Sequence, residues 1–324
     1  MKNFSYLIEK IKDTNITEYP FSHIYIENFF NPLDFQNIIE ADSVNTRNFQ
    51  NNEEMFNSLF NHGYKTIDFP GCISDVDEYC DWHTNKNTSK QMNTACESFG
   101  MTLRLMEPQS EILIDLKNFI ESREFNEAIA EKFNIKINSV YSDHGIQKYL
   151  DGYEISPHPD IRKKALTYMI NINPHSSSES LNHHTEYLTL KKEYKYVESF
   201  WEGNQEYDRC WIPWDWAESK FIQNQNNSLV MFSPSNNSIH AVNAKYNHLQ
   251  SQRTQLYGNL WYENFDSLQN VEWENLIISP TKANSDFQKS LSRLKPVSIL
   301  KKIKSKINIF SDRTKHYSDV RNRK

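Results

Sequence analysis

His158 and Asp160 stand two residues apart in "YLDGYEISPHPDIRKKALTYMININ", which runs from Tyr149 to Asn173. Successive side chains of an extended segment point to opposite sides, so this spacing sets the imidazole and the carboxylate on one face. The segment leads straight into "ALTYMINI" (165–172), which reads as a buried strand. A third candidate ligand, His240, lies 80 residues beyond Asp160, just past the apolar run "SLVMFSP" and a Pro-Ser-Asn-Asn turn. Two imidazoles and a carboxylate bind one face of an octahedral ion and leave its other positions open, the ligand set of non-haem Fe(II) centres. Those open positions can take a keto acid and dioxygen.

His-x-Asp alone arises often by chance, and a fourth residue gives it weight. Arg253 stands 13 residues after His240, at the start of "RTQLYGNLWY". A guanidinium keeps its charge and forks onto a carboxylate. On the strand after the last ligand it is placed to grip the far carboxylate of a dicarboxylic cosubstrate chelated to the metal.

The elements that must position these residues follow from periodicity. Residues 1–13 read as a helix and "FSHIYIENFF" (21–30) as a strand. "NPLDFQNIIEAD" (31–42) reads as a helix with Asn31 as N-cap and Pro32 at its first position. Residues 110–134 carry helical spacing of Ile112, Leu113, Leu116, Phe119 and Ile120. Residues 43–90 are polar and broken by Gly and Pro, and no element is assigned there. From residue 139 the pattern changes to short strands rich in β-branched and aromatic residues, at 139–150, 165–172, 185–194, 228–234 and 253–263. Helices first and strands in series after them predict a mostly β fold with flanking N-terminal helices, built as a jelly roll or barrel. The expected organisation is a supporting region over 1–138, a jelly-roll core over 139–265 and a basic extension over 266–324.

The quoted residues resemble the 2-oxoglutarate/Fe(II)-dependent dioxygenase superfamily, in its prolyl 4-hydroxylase-like branch. Tyr149, Gly152, His158 and Asp160 match that branch's "Y-x-x-G-x-x-x-x-x-H-x-D". "ALTYMININP" is similar to the strand that follows, "FIQNQNNSLVMFSP…IHAV" to the segment bearing the distal His, and "PFSHIYIENFFNPLDF" to the N-terminal part of many members. The strong likeness spans about 140–263. The resemblance implies a double-stranded β-helix with His158, Asp160 and His240 as iron ligands and Arg253 as the clamp on the 2-oxoglutarate C5 carboxylate. Tyr149 would donate to that carboxylate, and Asn171 would face the same pocket, where the family often has Tyr. Fe(II), 2-oxoglutarate and dioxygen are implied, with L-ascorbate as a reductant. The implied reaction decarboxylates 2-oxoglutarate to succinate and hydroxylates an unactivated C–H bond. One departure is His184, preceded by His183, where the family often has Gly; both are expected to be solvated loop histidines.

Three readings compete at this stage: an active oxygenase, a non-catalytic jelly-roll binding module with a relict metal site, and a cupin-type metal isomerase. The intact triad with Arg253 favours the first. The residues fix neither the molecule oxidised (a protein side chain, a glycan sugar or a small metabolite) nor the oligomeric state. Trp201, Trp211, Trp214 and Trp216, in a long insertion over 187–221, read as packing, with a stacking wall for a substrate as the sharper alternative. His144, Tyr153, Cys72, Cys80 and Cys96 read as structural.

The 324-residue chain carries a net charge of −6. Residues 281–324 hold 13 Lys/Arg against 3 Asp/Glu, leaving a net −16 on the rest. An acidic body does not suit a nucleic-acid binder. In "VSILKKIKSKINIF" (297–310), Ile299, Leu300, Ile303 and Ile307 share a helical face opposite lysines, as in a capping helix or in weak contact with a membrane surface. Four cysteines without a C-x-x-C pair, no apolar leader and no membrane span predict a cytoplasmic protein with reduced thiols.

Overall fold

The computed structural model describes residues 4–68, 71–85, 99–207 and 209–264. The expected basic extension with its helix at 297–310, and Cys96, lie outside the described residues. The first half supplies α1 (Tyr6–Asp13), β1 (Ile24–Ile26), α2 (Pro32–Glu40), α3 (Asn52–Asn61), β2 (Tyr64–Thr66), α4 (Val76–Asn85), β3 (Thr102–Leu105), α5 (Glu111–Glu121) and α6 (Arg123–Lys132). The second half supplies β4 (Val140–Tyr149), β5 (Glu154–His158), β6 (Lys164–Asn171), β7 (Thr185–Leu190), α7 (Tyr196–Gly203), β8 (Ala217–Ile222), β9 (Leu229–Phe232), β10 (His240–Asn243) and β11 (Arg253–Tyr262).

The pairing of β4 to β11 is that of one long hairpin wound on itself. β7 pairs with β8, β6 with β9, β5 with β10 and β4 with β11, all antiparallel. Winding then sets β6 against β11 and β7 against β10. The result is two sheets, β1-β9-β6-β11-β4-β3-β2 and β5-β10-β7-β8. This is a jelly roll, the double-stranded β-helix.

Each face of the larger sheet has its own partner. On β6, Leu166, Tyr168 and Ile170 join a core with Phe4, Leu7, Leu116 and Ile129 from the N-terminal helices. Met169, one residue out of phase, packs with Phe21, Tyr187, Val230 and Phe232. Period 2 therefore turns Thr167, Met169 and Asn171 away from the helices. Burial on both faces explains why this strand reads as a continuous apolar run.

The structure moves several expected boundaries. The helix expected over 110–134 breaks at Ser122, whose extended backbone and hydroxyl cap α6 by accepting from the Phe125 N–H. Asn31 caps α2 as expected, accepting from the Asp34 N–H at 2.9 Å. The polar stretch 43–90 contains α3, which buries Met55, Phe56 and Leu59, and α4. The strand expected over 185–194 stops at Leu190 and turns at Lys192–Tyr194. α7 lies inside the Trp-rich insertion and β8 runs across its end, where aromatic spacing gives no clear period. Among the described residues, no helix is long and apolar enough to cross a membrane.

Gly258 shows how tightly β11 is held. It lies between His144 of β4 and Tyr168 of β6, and a Cβ there would overlap the Tyr168 ring and hydroxyl. Tyr168 is 2% exposed and has little room to retreat. Gly258→Ala should lower stability by about 1–3 kcal/mol through overpacking, read as an earlier midpoint in urea unfolding. An unshifted midpoint would show that the sheet yields at this point.

Candidate metal and cosubstrate site

Strand register builds the site. His158 ends β5, His240 begins β10, and the two are directly paired across the ladder. Their rings lie 4.4 Å apart, centroid to centroid. Asp160 follows two residues on, and one ligand atom from each of the three lies within 4.8 Å of the others. All three residues are buried.

Hydrogen bonds fix which nitrogen of each imidazole is offered. His158 Nδ1 is 2.7 Å from the Ser156 carbonyl, and His240 Nδ1 is 3.0 Å from the Ser238 carbonyl. A carbonyl can only accept, so each Nδ1 carries the hydrogen and each Nε2 keeps its lone pair. This is the outer arrangement that orients metal-binding histidines. Burial, reinforced by His240, pushes the His158 pKa down to about 3; burial also lowers that of His240. Both are neutral at pH 7, the form that ligates.

Asp160 is held from two sides. Lys164 Nζ donates to Oδ1 at 2.6 Å, and Thr167 Oγ1 donates to Oδ2 at 2.6 Å. Burial would raise the carboxyl pKa, but Lys164, with His240 and His158, outweighs it and holds the group below the usual carboxylate range. Lys164 also donates to the Tyr257 hydroxyl at 2.8 Å. Neither Lys164 nor Thr167 was anticipated. The available signals were the i+4 spacing of Lys164 and the inward phase of Thr167.

A cavity of about 350 Å³ is lined by the triad and also by Arg253, Tyr149, Gln255 and Thr185. Arg253 is 2% exposed. Its Nη2 donates to Thr185 Oγ1 at 2.8 Å and Gln255 Oε1 at 3.0 Å, and its Nε has no partner. The titratable groups that weigh on it most are Tyr149, Tyr153, Tyr246 and Tyr187, with no carboxylate among them. Its guanidinium carbon sits 4.5 Å from the centre of the Tyr149 ring, which β4 sets opposite it. Turned so that its oxygen accepts from Arg104 Nη2 at 2.8 Å, the Gln147 amide donates to the Tyr149 oxygen at 2.6 Å. The phenolic hydrogen then remains to be donated elsewhere.

The structure corrects the placement of Asn171. Its amide hydrogens go to the Gln223 and Gln225 carbonyls at 2.8 and 3.1 Å, and its oxygen accepts from Gln255 Nε2 at 2.8 Å. It therefore braces Gln255, and Gln255, two residues after Arg253 on the same side of β11, takes the place beside the guanidinium. His183 and His184 are likewise corrected from solvated to buried, at 1% and 7% exposure. His184 Nε2 lies 3.0 Å from the Ser178 carbonyl, and the His183 ring packs against Tyr246. Tyr153, expected to be structural, lines the cavity 4.8 Å from the Tyr149 ring.

The four tryptophans divide. Trp201 packs under Arg162, Trp214 donates to Glu154 at 2.8 Å, and Trp216 stacks on Tyr194. Trp211 lines the cavity, 4.8 Å from the His158 ring. Arg162 and Lys245, the cations closest in sequence to Asp160 and His240 apart from Lys163 and Lys164, lie elsewhere. Arg162 donates to carbonyls of Trp201, Asn204 and Tyr207, and Lys245 lines a different cavity.

Strand order, register and site belong together. Solved structures of a prolyl-4-hydroxylase and of a 2-oxoglutarate/Fe(II) oxygenase are among those the chain is similar to. Among solved structures, a prolyl-4-hydroxylase from Pseudomonas putida matches at 7% identity over 80% of this chain and 98% of its own, with TM-score 0.38. HygX from Streptomyces hygroscopicus, with nickel, 2-oxoglutarate and hygromycin B bound, matches at 6% over 76% and 85%, with TM-score 0.37. AviO1 from Streptomyces viridochromogenes matches at 10% over 82% and 98%, with TM-score 0.35. No family model and no curated protein matches the chain. At such identities and TM-scores, the fold rests on the strand order and register above.

The Lys164–Asp160 pair is buried, so removing one partner strands a charge. Lys164→Met should cost the metal-free protein about 3–5 kcal/mol, measured by urea unfolding in the presence of a chelator. Saturating divalent metal should recover part of the loss. Unchanged stability in chelator would mean that Thr167 alone suffices for Asp160.

Proposed function

We propose that this chain is a 2-oxoglutarate- and Fe(II)-dependent dioxygenase that hydroxylates an unactivated C–H bond. One observation carries the reading: a buried guanidinium without a carboxylate partner among the described residues shares a cavity with a two-histidine, one-carboxylate set. A buried cation is costly unless an anion meets it. The set beside it chelates a divalent ion and leaves positions for a keto acid. A five-carbon keto diacid satisfies both ends at once.

His158 Nε2, His240 Nε2 and one Asp160 oxygen would hold Fe(II), and the donor set fits that ion. Bound there, Fe(II) supplies the site for dioxygen activation and oxidative decarboxylation. Arg253 receives the distal carboxylate through its free Nε, while Thr185 and Gln255 hold its Nη2 in place. Tyr149 adds a hydroxyl donor to the same carboxylate. Lys164 keeps Asp160 ionised and oriented, so the anionic ligand is ready before metal arrives. Trp211 beside His158 forms part of the wall on which a substrate rests. The substrate class lies among protein side chains, glycan sugars and small metabolites.

Protein loaded with Fe(II) under anaerobic conditions and then given dioxygen should convert 2-oxoglutarate to succinate. His158→Ala, Asp160→Ala and His240→Ala should each abolish turnover and tight Fe(II) binding. Arg253→Ala should keep Fe(II) but raise the apparent cosubstrate constant at least ~30-fold, the effect of losing a charge-assisted contact worth ~2–5 kcal/mol. No succinate from the intact protein, or a normal cosubstrate constant in Arg253→Ala, would contradict the reading.

A further inference from the structure

A second set of two histidines and a carboxylate lies away from the triad. His83 comes from the last turns of α4, Asp151 from the turn between β4 and β5, and His248 from the loop between β10 and β11. One ligand atom from each lies within 4.8 Å of the others. β5 begins three residues after Asp151 and ends at His158; β10 begins at His240 and ends five residues before His248. The two sets therefore sit at opposite ends of one strand pair, roughly 15 Å apart along five residues of β-strand.

The surroundings of this second set prepare it to ligate. His248 Nε2 lies 2.7 Å from Asn52 Oδ1, which fixes the ring hydrogen there and leaves Nδ1 with its lone pair. Nδ1 accepts from the Asp151 N–H at 3.1 Å and lies 3.3 Å from the Tyr79 hydroxyl, both longer contacts than the one at Nε2. Asp151 Oδ1 accepts from the Tyr246 N–H at 2.9 Å, which leaves Oδ2 directed at His83 Nε2, 2.8 Å away. A neutral imidazole with its far nitrogen anchored on an amide oxygen, beside a carboxylate with its far oxygen anchored on a backbone N–H, is the outer arrangement of a metal centre. The three residues also line a cavity of about 800 Å³, which gives an entry path and room for water ligands.

We propose that His83, Asp151 and His248 form a second divalent-metal site, suited by its two nitrogens and one oxygen to a zinc-like ion. Binding requires three changes. The His83 Nε2 hydrogen must leave or move to Nδ1. His248 Nδ1 must exchange the Asp151 N–H for the ion. The ligand atoms must draw in to the separation of about 3–3.5 Å set by bonds of about 2.0–2.2 Å. The ion would tie α4 to the loop that carries Tyr246, whose hydroxyl accepts from the Arg253 N–H at 2.9 Å. It would thereby brace the backbone behind the clamp.

Full-length protein stripped by chelator and dialysed against Zn²⁺ or Co²⁺ tests the site. The intact chain should hold two ions, and the His158→Ala/His240→Ala double variant should hold one, with a higher melting temperature when loaded. Adding His83→Gln to that double variant should remove the remaining ion. Gln retains a donor for Asp151, and circular dichroism checks that the fold persists. X-ray absorption of the Co²⁺-loaded double variant should show two imidazoles in a nitrogen/oxygen shell, a readout that requires no further substitution. Absence of metal in the double variant, or a shell without imidazole, would reduce His83, Asp151 and His248 to a hydrogen-bonded clasp between α4 and the barrel. Retention of the ion after His83→Gln in the folded protein would equally overturn the assignment.

Discussion

Arg253 carries a full charge into a place that water barely reaches. Removing a guanidinium from water costs several kcal/mol even after the surroundings relax. Part of that cost is offset by the Tyr149 ring beneath it and by Thr185 and Gln255, which accept from Nη2. Those partners are braced in turn. Gln255 is held by Asn171, and Asn171 by the Gln223 and Gln225 carbonyls. A satisfied polar chain thus runs from β11 through β6 to the β8–β9 connection and leaves one feature unmet, an anion for the guanidinium.

The winding of the chain places that cation in the same cavity as the triad. Nested pairing puts His158 opposite His240 and Arg253 opposite Tyr149. Neither pair is close in sequence. A one-residue slip in either ladder would turn its side chains to the wrong face. The N-terminal helices stabilise the opposite face of the larger sheet, where β6 carries apolar residues in the other phase.

The sequence made much of this legible because the chemistry uses rare residue types at fixed spacing. His158, Asp160, His240 and Arg253 were found from side-chain chemistry, and the structure brings them to one cavity. The long strands β4, β6 and β11 were visible from β-branched and aromatic runs. Residues whose roles depend on contacts between distant segments were not legible. Lys164 looks like one of several lysines until β6 turns it onto Asp160. His183 and His184 lie in a hydrophilic stretch, and it takes contacts such as the packing of Tyr246 against His183 to show that this stretch folds inward. Asn171 had the expected inward phase, but phase does not reveal that backbone carbonyls consume its hydrogens. The second histidine–aspartate set was invisible for the same reason, since α4, a turn and a loop supply one ligand each.

The clamp on a distal carboxylate is tested most directly by comparing two keto acids under anaerobic conditions. 2-Oxoglutarate and pyruvate offer a metal the same chelate, but only the first has a second carboxylate for Arg253. Each can be titrated into the Fe(II)-loaded protein while the charge-transfer absorption of the chelate is followed. The account predicts that 2-oxoglutarate binds at least ~30-fold more tightly than pyruvate, the ratio expected for a buried charge-assisted contact. Equal affinities would contradict it, because Arg253 would then be buried for some reason other than holding the cosubstrate.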